Sequence, residues 1–294
     1  MFKSGFVNIL GNPNVGKSTL MNAFVGERLS IITFKAQTTR HRIIGIINGK
    51  DYQIVFSDTP GVLKPNYKLQ ESMMKFVYSA VNDADIVVYV TDTVEKVDKN
   101  SEFIEKIGKL DVPVLLLINK IDLTTPEKLD KLSDEWRNIL PQAIIFPVSA
   151  KEKFNTDNVT AKIISLLPEG PKYYEGNTLT DRNLRFFASE IIREKILLNY
   201  RKEIPYSVEV GIDRFKESEN ITFVEATVYV ARDSQKGIII GKEGHRLKRL
   251  GIDARKSLED FLQTKIFLSL NVKVDPDWRD DQTKLKKFGY LPDS

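Results

Sequence analysis

Apolar and polar stretches alternate along the first half of the chain. Six short segments are apolar or alternate between apolar and polar residues, as buried strands do; they are 6–10, 43–47, 53–58, 85–92, 112–119 and 143–149. Between and after them lie segments with the spacing of amphipathic helices; they are 17–27, 68–82, 100–109, 126–140 and 157–167. This order predicts an α/β domain with a mostly parallel sheet and helices on both faces. Only a short turn separates 43–47 from 53–58, which predicts one antiparallel hairpin.

The pattern changes in the second half of the chain. Two prolines and two glycines between 167 and 176 indicate a linker. Beyond it the pattern predicts a helix, two strands, two helices and a last strand; they are 181–200, 207–214, 221–232, two helices that meet at 241–244, and 265–274. We therefore predict three regions, which are a nucleotide-binding domain at 1–170, a linker at 171–180, and an α+β domain with a tail at 181–294.

Composition narrows the chemistry. The 294 residues include no cysteine and two histidines, which excludes disulfides, iron–sulfur clusters, cysteine nucleophiles and histidine-rich metal sites. No run resembles a signal peptide or approaches the roughly 20 apolar residues that span a bilayer. The formal net charge of +4 does not identify a partner, so the distribution of charge along the chain has to.

The first candidate site is the sequence Gly11-Asn12-Pro13-Asn14-Val15-Gly16-Lys17-Ser18. It fits the phosphate-loop pattern G-x-x-x-x-G-K-[ST] between a predicted strand and a predicted helix. Backbone N–H groups of such a loop surround phosphate oxygens, and the start of the helix adds partial positive charge. We expect Lys17 to contact the β- and γ-phosphates and the Ser18 hydroxyl to bind Mg²⁺.

Three further motifs follow at the ends of predicted strands, where the ligands of open α/β sheets bind. Asp58-Thr59-Pro60-Gly61 is expected to hold Mg²⁺ through water and to direct the Gly61 N–H to the γ-phosphate. Asn119-Lys120-Ile121-Asp122 places a carboxylate that can accept N1–H and the exocyclic amine of guanine. Adenine lacks that amine, so GTP is favoured over ATP. Ser149-Ala150-Lys151 is expected to direct the Ala150 N–H to guanine O6.

The segment 31–42 is the expected first switch, with a second switch from Asp58 to about Tyr78. A hydroxyl in Gln37-Thr38-Thr39-Arg40 would complete the Mg²⁺ ligands. We favour Thr39, and Thr38 stays open. The predicted nucleotide contacts are Asn12, Pro13, Asn14, Val15, Gly16, Lys17, Ser18, Thr19, Asp58, Gly61, Asn119, Lys120, Asp122, Ser149, Ala150 and Lys151. The predicted metal ligands are Ser18, Thr39 and Asp58.

The second candidate site surrounds Gly241-Lys242-Glu243-Gly244. A G-x-x-G turn between two helices after a β-β pair is typical of a KH domain, which binds four nucleotides of a single strand. From 236 to 256 there are seven basic and two acidic residues, so this segment carries +5. We expect Ile238, Ile239 and Ile240 to line the base-binding groove. The predicted RNA contacts are Lys236, Gly237, Ile238, Ile240, Gly241, Lys242, Glu243, Gly244, His245, Arg246, Lys248 and Arg249.

Taken together, residues 12–18, Gln37-Thr38-Thr39-Arg40-His41-Arg42 and Asp58-Thr59-Pro60-Gly61 resemble the Era family of bacterial ribosome-assembly GTPases. Two tail segments, Asp275 to Asp281 and Leu285 to Leu291, are also similar, with Trp278 expected to close a core rather than to stack on a base. The resemblance covers nearly the whole chain. It implies a Ras-like GTPase domain, a type II KH domain, slow GTP hydrolysis, and binding to the 3′ end region of small-subunit ribosomal RNA.

The resemblance also places Val62 where Ras-like proteins have a water-orienting glutamine, and it leaves K⁺ coordination by Asn14 open. The residues expected to act in hydrolysis are Lys17, Thr39, Gly61 and Asn14. Besides GTP and GDP, the expected partners are single-stranded ribosomal RNA and the small ribosomal subunit; we expect a monomer and no DNA partner. A cytoplasmic location is expected, with peripheral attachment to the inner face of the membrane left open. Two alternatives remain, which are an RNA chaperone with GTP as a structural ligand and an ATPase.

Overall fold

The six predicted strands pair into one sheet in the structure, a computed structural model that describes residues 1–97 and 99–291. The strands are β1 (Lys3–Gly11), β2 (Ile43–Asn48), β3 (Tyr52–Asp58), β4 (Ile86–Asp92), β5 (Val114–Asn119) and β6 (Ile144–Pro147). Their order is β2-β3-β1-β4-β5-β6. All neighbouring pairs are parallel except the β2–β3 hairpin. The predicted α/β class and the single antiparallel pair are confirmed.

Five helices accompany this sheet, at positions close to the predicted ones. They are α1 (Lys17–Val25), α2 (Lys68–Asn82), α3 (Ser101–Gly108), α4 (Pro126–Ile139) and α5 (Thr156–Leu166). Helix α1 ends two residues before its predicted end, because Gly26 adopts a left-handed conformation with φ 81° and caps the helix. One apolar core joins side chains of β4 and β5 to Phe103, Ile107 and Trp136 of the helices.

The second half of the chain has the predicted α-β-β-α-α-β order and an additional helix. Its elements are α6 (Leu184–Asn199), β7 (Val208–Lys216), β8 (Ile221–Val230), α7 (Asp233–Ile240), α8 (His245–Leu262), β9 (Lys265–Val274) and α9 (Gln282–Lys287). The sheet order is β7-β8-β9, with β7 and β8 antiparallel and β8 and β9 parallel. Ile191, Ile239 and Leu258 are among the side chains of the core between the sheet and the helices.

The chain divides into two compact units. The first comprises Met1–Pro65 and Met73–Asp181, and the second comprises Asn66–Ser72 and the chain from Arg182 onward. Within the first unit, the predicted linker is bonded to the sheet. Ser4 Oγ donates to Pro171 O at 2.6 Å, and the Tyr173 and Tyr174 N–H groups donate to Gln53 Oε1 at 2.8 and 3.0 Å.

The tail that follows β9 belongs to the core of the second unit. Trp278 is fully buried, and its indole N–H donates to Ser207 O at 3.3 Å. Tyr290 is also buried and donates to Glu209 Oε2. The expectation that Trp278 closes a core is therefore confirmed.

Candidate nucleotide site and RNA-binding face

The phosphate loop, residues 11–18, connects β1 to α1 and requires its two glycines. Gly11 has φ 143°, and a Cβ there would lie 2.2 Å from Val90 O. Gly16 has φ 97°, and a Cβ there would lie 2.2 Å from Asn119 Nδ2. Only glycine combines these conformations with such close neighbours. The loop is thus shaped by its packing against the ends of β4 and β5.

Lys17 is buried at the centre of this loop. Its Nζ donates to Asn12 O at 2.8 Å and to Gly11 O at 3.1 Å. Burial lowers the pKa of Lys17 to about 8, while the nearby carboxylates of Asp58 and Glu95 oppose that shift. A phosphate anion would stabilise the charged amine, because it replaces solvent with opposite charge.

Ser18, Thr39 and Asp58 bring three side-chain oxygens together beside the loop. Ser18 Oγ lies 2.8 Å from Thr39 Oγ1 and donates to Asp58 Oδ2 at 2.6 Å. Asp58 is fully buried, which raises the pKa of its carboxyl, and its Oδ1 has no hydrogen-bond partner among the described residues. Hydroxyl and carboxylate oxygens are the ligands that Mg²⁺ prefers. This oxygen set therefore fits a magnesium ion.

The neighbouring threonine is directed elsewhere. Thr38 Oγ1 donates to Lys35 O at 2.7 Å and lies 2.6 Å from Thr33 Oγ1, within the same loop. The structure thus places Thr39, and not Thr38, beside Ser18. In the described part of the chain no cluster of three or more histidine, aspartate or glutamate side chains could hold a metal.

The second switch begins against the phosphate loop. A Cβ at Gly61 would lie 2.6 Å from Pro13 N, so the two backbones are in close contact. The Val62 N–H donates to Gly11 O at 3.1 Å, and the Val62 side chain is buried in the apolar core with Leu10. Val62 thus offers no polar group to a water molecule.

The last two motifs meet through Asn119. Its amide nitrogen donates to Val15 O at 2.8 Å, and its Oδ1 accepts the Ala150 N–H at 2.9 Å. The structure therefore gives the Ala150 N–H a protein acceptor, where the sequence suggested guanine O6. Ser149 Oγ donates to Asp122 Oδ1 at 2.6 Å.

Lys120 and Lys151 differ in their surroundings. Lys120 Nζ contacts Asp92 Oδ2 at 2.5 Å and donates to Asn14 O at 2.7 Å. Burial would raise the pKa of Asp92, but the hydrogen bond from Lys120 and two backbone N–H groups hold it below its ordinary value. Lys151 is exposed and pairs with Glu152 at 3.1 Å.

A cavity of about 400 Å³ lies between the phosphate loop and the first switch. Most of the predicted phosphate contacts and Lys120 line it, whereas Asp122 and 149–151 lie outside its lining. The lining also includes residues 31–35, which are absent from the predicted nucleotide contacts; among them Phe34 is 75% exposed. A phenylalanine between Thr33 and Lys35 was the available sequence signal for an aromatic contact to a planar ligand.

In the second unit, the G-x-x-G turn connects α7 to α8. Gly241, Glu243 and Gly244 have φ 72°, 51° and 77°, so three of its four residues lie in conformations that favour glycine. Lys242, Glu243, His245, Lys248 and Arg249 are exposed. His245 Nε2 lies 3.6 Å from Glu243 Oε2, with both side chains open to solvent. The turn therefore presents backbone and charge outward.

The groove beside this turn is built differently from the prediction. A cavity of about 430 Å³ is lined by α8 and β9; the residues are Gly244, Leu247, Lys248, Gly251, Ile252, Arg255, Leu268 and Leu270. Ile239 is fully buried in the core, so its assignment to the groove is wrong. Ile238 instead lines a separate cavity of about 720 Å³ with Arg246 and Arg249. Lys236, Gly237 and Ile240 belong to α7 and line neither cavity.

The groove residues alternate with the core residues along α8. Leu250, Ala254 and Leu258 recur at helical spacing and are buried, which leaves 251, 252 and 255 on an outer face. An apolar floor with Lys248 and Arg255 at its edge suits stacked bases and a phosphate backbone.

No helix among residues 1–97 and 99–291 has the length and apolarity needed to cross a membrane.

Comparisons with known proteins match both halves of the chain. The family model of the 50S ribosome-binding GTPases matches residues 6–120, and that of the KH domain matches 203–279. GTPase Era of Clostridium botulinum is 46% identical over 292 residues, which cover 99% of each chain.

Two solved structures resemble the whole chain, each with 38% identity, a TM-score of 0.95, and coverage of 99% of this chain and 100% of the other. One is Era in complex with MgGDPNP and nucleotides 1506–1542 of 16S ribosomal RNA. The other is a variant of Aquifex aeolicus Era bound to GDP·AlF4⁻. The chain belongs to the GTPase Era family.

Proposed function

We propose that this chain is a GTP-hydrolysing switch that binds the 3′ end region of small-subunit ribosomal RNA and assists small-subunit assembly. The observation that carries this function is the cluster of Ser18, Thr39 and Asp58 oxygens beside the buried Lys17. The relatives bound to MgGDPNP with 16S ribosomal RNA and to GDP·AlF4⁻ support it. The domain limits of 1–170 and 181–294 are part of the proposal.

The site residues act mainly by position and charge. Backbone N–H groups of the phosphate loop and the Lys17 amine neutralise the triphosphate, and the Gly61 N–H contacts the γ-phosphate. Mg²⁺, held by Ser18, Thr39 and water on Asp58, supplies further positive charge to the phosphate oxygens. Water attacks the γ-phosphate without a side-chain base at Val62, so the intrinsic rate is slow. Loss of the γ-phosphate releases both switches.

The proposed specificity for guanine nucleotides can be tested at Asp122. Asp122→Asn exchanges a two-bond acceptor for a group that suits xanthine, so GTP affinity should fall about 100-fold and xanthosine triphosphate affinity should rise. Asp130→Asn on α4 makes the same change at an exposed position and should have no effect. Equal affinity of the wild type for ATP and GTP in a fluorescence competition assay would overturn GTP specificity.

Asn14 is the proposed ligand of a K⁺ ion during hydrolysis. It is exposed, has φ 68°, and its side chain makes no hydrogen bond to the described residues. A bound K⁺ would add positive charge beside the β- and γ-phosphates. Hydrolysis in KCl should exceed that in NaCl for the wild type, and Asn14→Ala should remove the difference. Equal single-turnover rates in both salts would exclude this role.

RNA is proposed to bind along α8 and β9 with its backbone at the G-x-x-G turn. The apolar floor contacts the bases, while Lys242, Lys248 and Arg255 contact phosphates. GTP binding and RNA binding should favour each other. Titration of a fluorescent single-stranded RNA against the GDPNP and GDP forms measures this coupling, and equal affinities would contradict it.

Other features of the proposal concern the cell. The protein acts as a monomer in the cytoplasm, on the small ribosomal subunit. Its contact with membrane is peripheral, and it has no DNA partner. Crosslinking to ribosomal subunits in the triphosphate state, followed by mapping of the RNA, tests whether the protein binds the small ribosomal subunit. Sedimentation of the purified chain tests the monomer.

The apolar Val62 favours one alternative, an RNA chaperone in which GTP is a structural ligand. Single-turnover hydrolysis separates the two functions. Acceleration by K⁺ or by target RNA supports the switch. A rate that neither of them raises above the uncatalysed background supports the chaperone.

A further inference from the structure

Glu95 is a partly buried carboxylate that none of the nucleotide motifs includes. It follows β4, four residues after Thr91. Both of its oxygens are used. Oε1 accepts a hydrogen bond from Thr91 Oγ1, and Oε2 accepts one from Asn12 Nδ2, each at 2.8 Å. A surface carboxylate is normally hydrated, whereas this one is bonded to the phosphate loop through Asn12.

The Asn12 side chain is held at its other end as well. Asn12 Oδ1 accepts a hydrogen bond from Asn100 Nδ2, just before α3. Asn12 is 1% exposed, so neither end of its amide has access to solvent. Only one orientation of the amide satisfies both partners, because Glu95 accepts and Asn100 donates. Hydrogen bonds to Glu95, after β4, and to Asn100, before α3, therefore fix the orientation of the Asn12 side chain.

The backbone of the same segment supports the second switch. Gly11 O accepts the Val62 N–H, and the Gly61 backbone lies against Pro13, with only 2.6 Å between Pro13 N and a Cβ added at Gly61. Asn12 O accepts from Lys17 Nζ. A shift of residues 11–13 would therefore move Gly61 and Lys17, both of which we place at the γ-phosphate. Residues 14 and 15 are held separately, because Asn14 O accepts from Lys120 and Val15 O from Asn119, so the rest of the loop would shift less.

We propose that Glu95 is a positioning residue for GTP hydrolysis, acting with Asn100 by fixing Asn12 and thereby the loop segment on which the second switch rests. This inference deepens the proposed function and depends on it. The effect falls on the γ-phosphate step more than on nucleotide affinity. Small misplacements of this kind slow catalysis strongly, since aligned groups supply much of the rate.

Charged groups around Glu95 fit this role. Burial is the largest influence and raises the pKa of Glu95 above its ordinary value, while the charge of Asp92 adds to this shift and that of Lys99 opposes it. The hydrogen bonds from Asn12 and Thr91 oppose burial and favour the ionised form. That form accepts at both oxygens, as both donors require.

The test compares three variants with the wild type in single-turnover hydrolysis of GTP. Glu95→Ala removes both acceptors and should slow hydrolysis about tenfold, with GDP affinity changed less than threefold. Glu95→Gln can accept from Asn12 and donate to Thr91, so it should restore most of the rate. Glu105→Ala removes the same charge at an exposed site on α3 and serves as the matched control.

A double-mutant cycle with Asn12→Ala identifies the route of the effect. If Glu95 acts through Asn12, then Glu95→Ala should cause no further loss in the Asn12→Ala background. Additive losses, or an equal fall in rate and GDP affinity, would overturn the inference. If the wild type hydrolyses GTP and Glu95→Ala does so at the same rate, this inference is refuted and the proposed function stands. If the wild type does not hydrolyse GTP, the proposed function itself is refuted.

Discussion

The nucleotide site and the RNA-binding face are built on opposite principles. Lys17, Asp58 and Asn119 are buried. The hydrogen bonds of Lys17 close the phosphate loop on itself, and those of Asp58 and Asn119 join the loop to the second and third motifs. At the G-x-x-G turn, Lys242 and Lys248 are exposed and form no ion pair among the described residues. The first site is preorganised by internal bonds, and the second keeps its charges available to a ligand.

This difference predicts different responses to change. Removing a buried polar group leaves its partners unsatisfied, which costs stability as well as affinity. Removing an exposed cation costs only its own phosphate contact, and salt screens that contact.

Asn119→Ala should have the largest effect on stability. It leaves Val15 O and the Ala150 N–H without their partner in a buried site, at about 2–4 kcal/mol for the two bonds. Urea unfolding measures the loss, and nucleotide affinity should fall with it. Asn158→Ala on α5 is the exposed control. A stability loss no greater than that of the control would show that the site is not preorganised in this way.

Asp92→Asn should reduce stability by about 1–2 kcal/mol at neutral pH, through loss of the charged bond to Lys120. Because the folded-state pKa of Asp92 lies below its ordinary value, its contribution is complete above that ordinary value. It is lost as pH falls through the lower, folded-state pKa. Denaturation at several pH values should therefore show the two proteins converging in acid. A difference that stays constant into acid would contradict the prediction.

Lys248→Gln should have the smallest effect, with RNA affinity reduced about fivefold and the hydrolysis rate unchanged. The slope of log affinity against log salt should fall by about 0.7, the value for one phosphate of a single strand. Lys256→Gln makes the same change on α8 outside the groove lining. Equal effects of the two variants would indicate that charge near α8, and not the groove, governs binding.

Local sequence patterns predicted the elements well where a single local rule decides them. Helix α2 and strand β9 have the predicted limits, because strong periodicity runs through their whole length. Helix α6 begins at Leu184 rather than 181, because the Asn183 side chain accepts from the Phe186 N–H and caps it. Strand β6 ends at Pro147, and Ser149 pairs with Phe154 in a separate bridge.

Contacts between distant segments were harder to predict. Glu95 and Asn100 lie outside every recognised motif, and only the fold brings them to Asn12. The prediction that Ile239 lines the RNA-binding groove was wrong for a related reason. Three consecutive isoleucines on a helix cannot share one face, and which of them is buried depends on how α7 packs.

By itself, the sequence determined the fold class, the order of elements up to β9, the nucleotide and its phosphate loop, and the KH-type turn. These follow from local spacing, because glycines, a lysine and a hydroxyl at these fixed offsets together form a phosphate-binding loop. Tertiary structure alone decided that Thr39 rather than Thr38 lies beside Ser18, that α8 and β9 form the groove, and that Glu95 holds Asn12. Such contacts depend on packing between segments far apart in the chain, which no local pattern records.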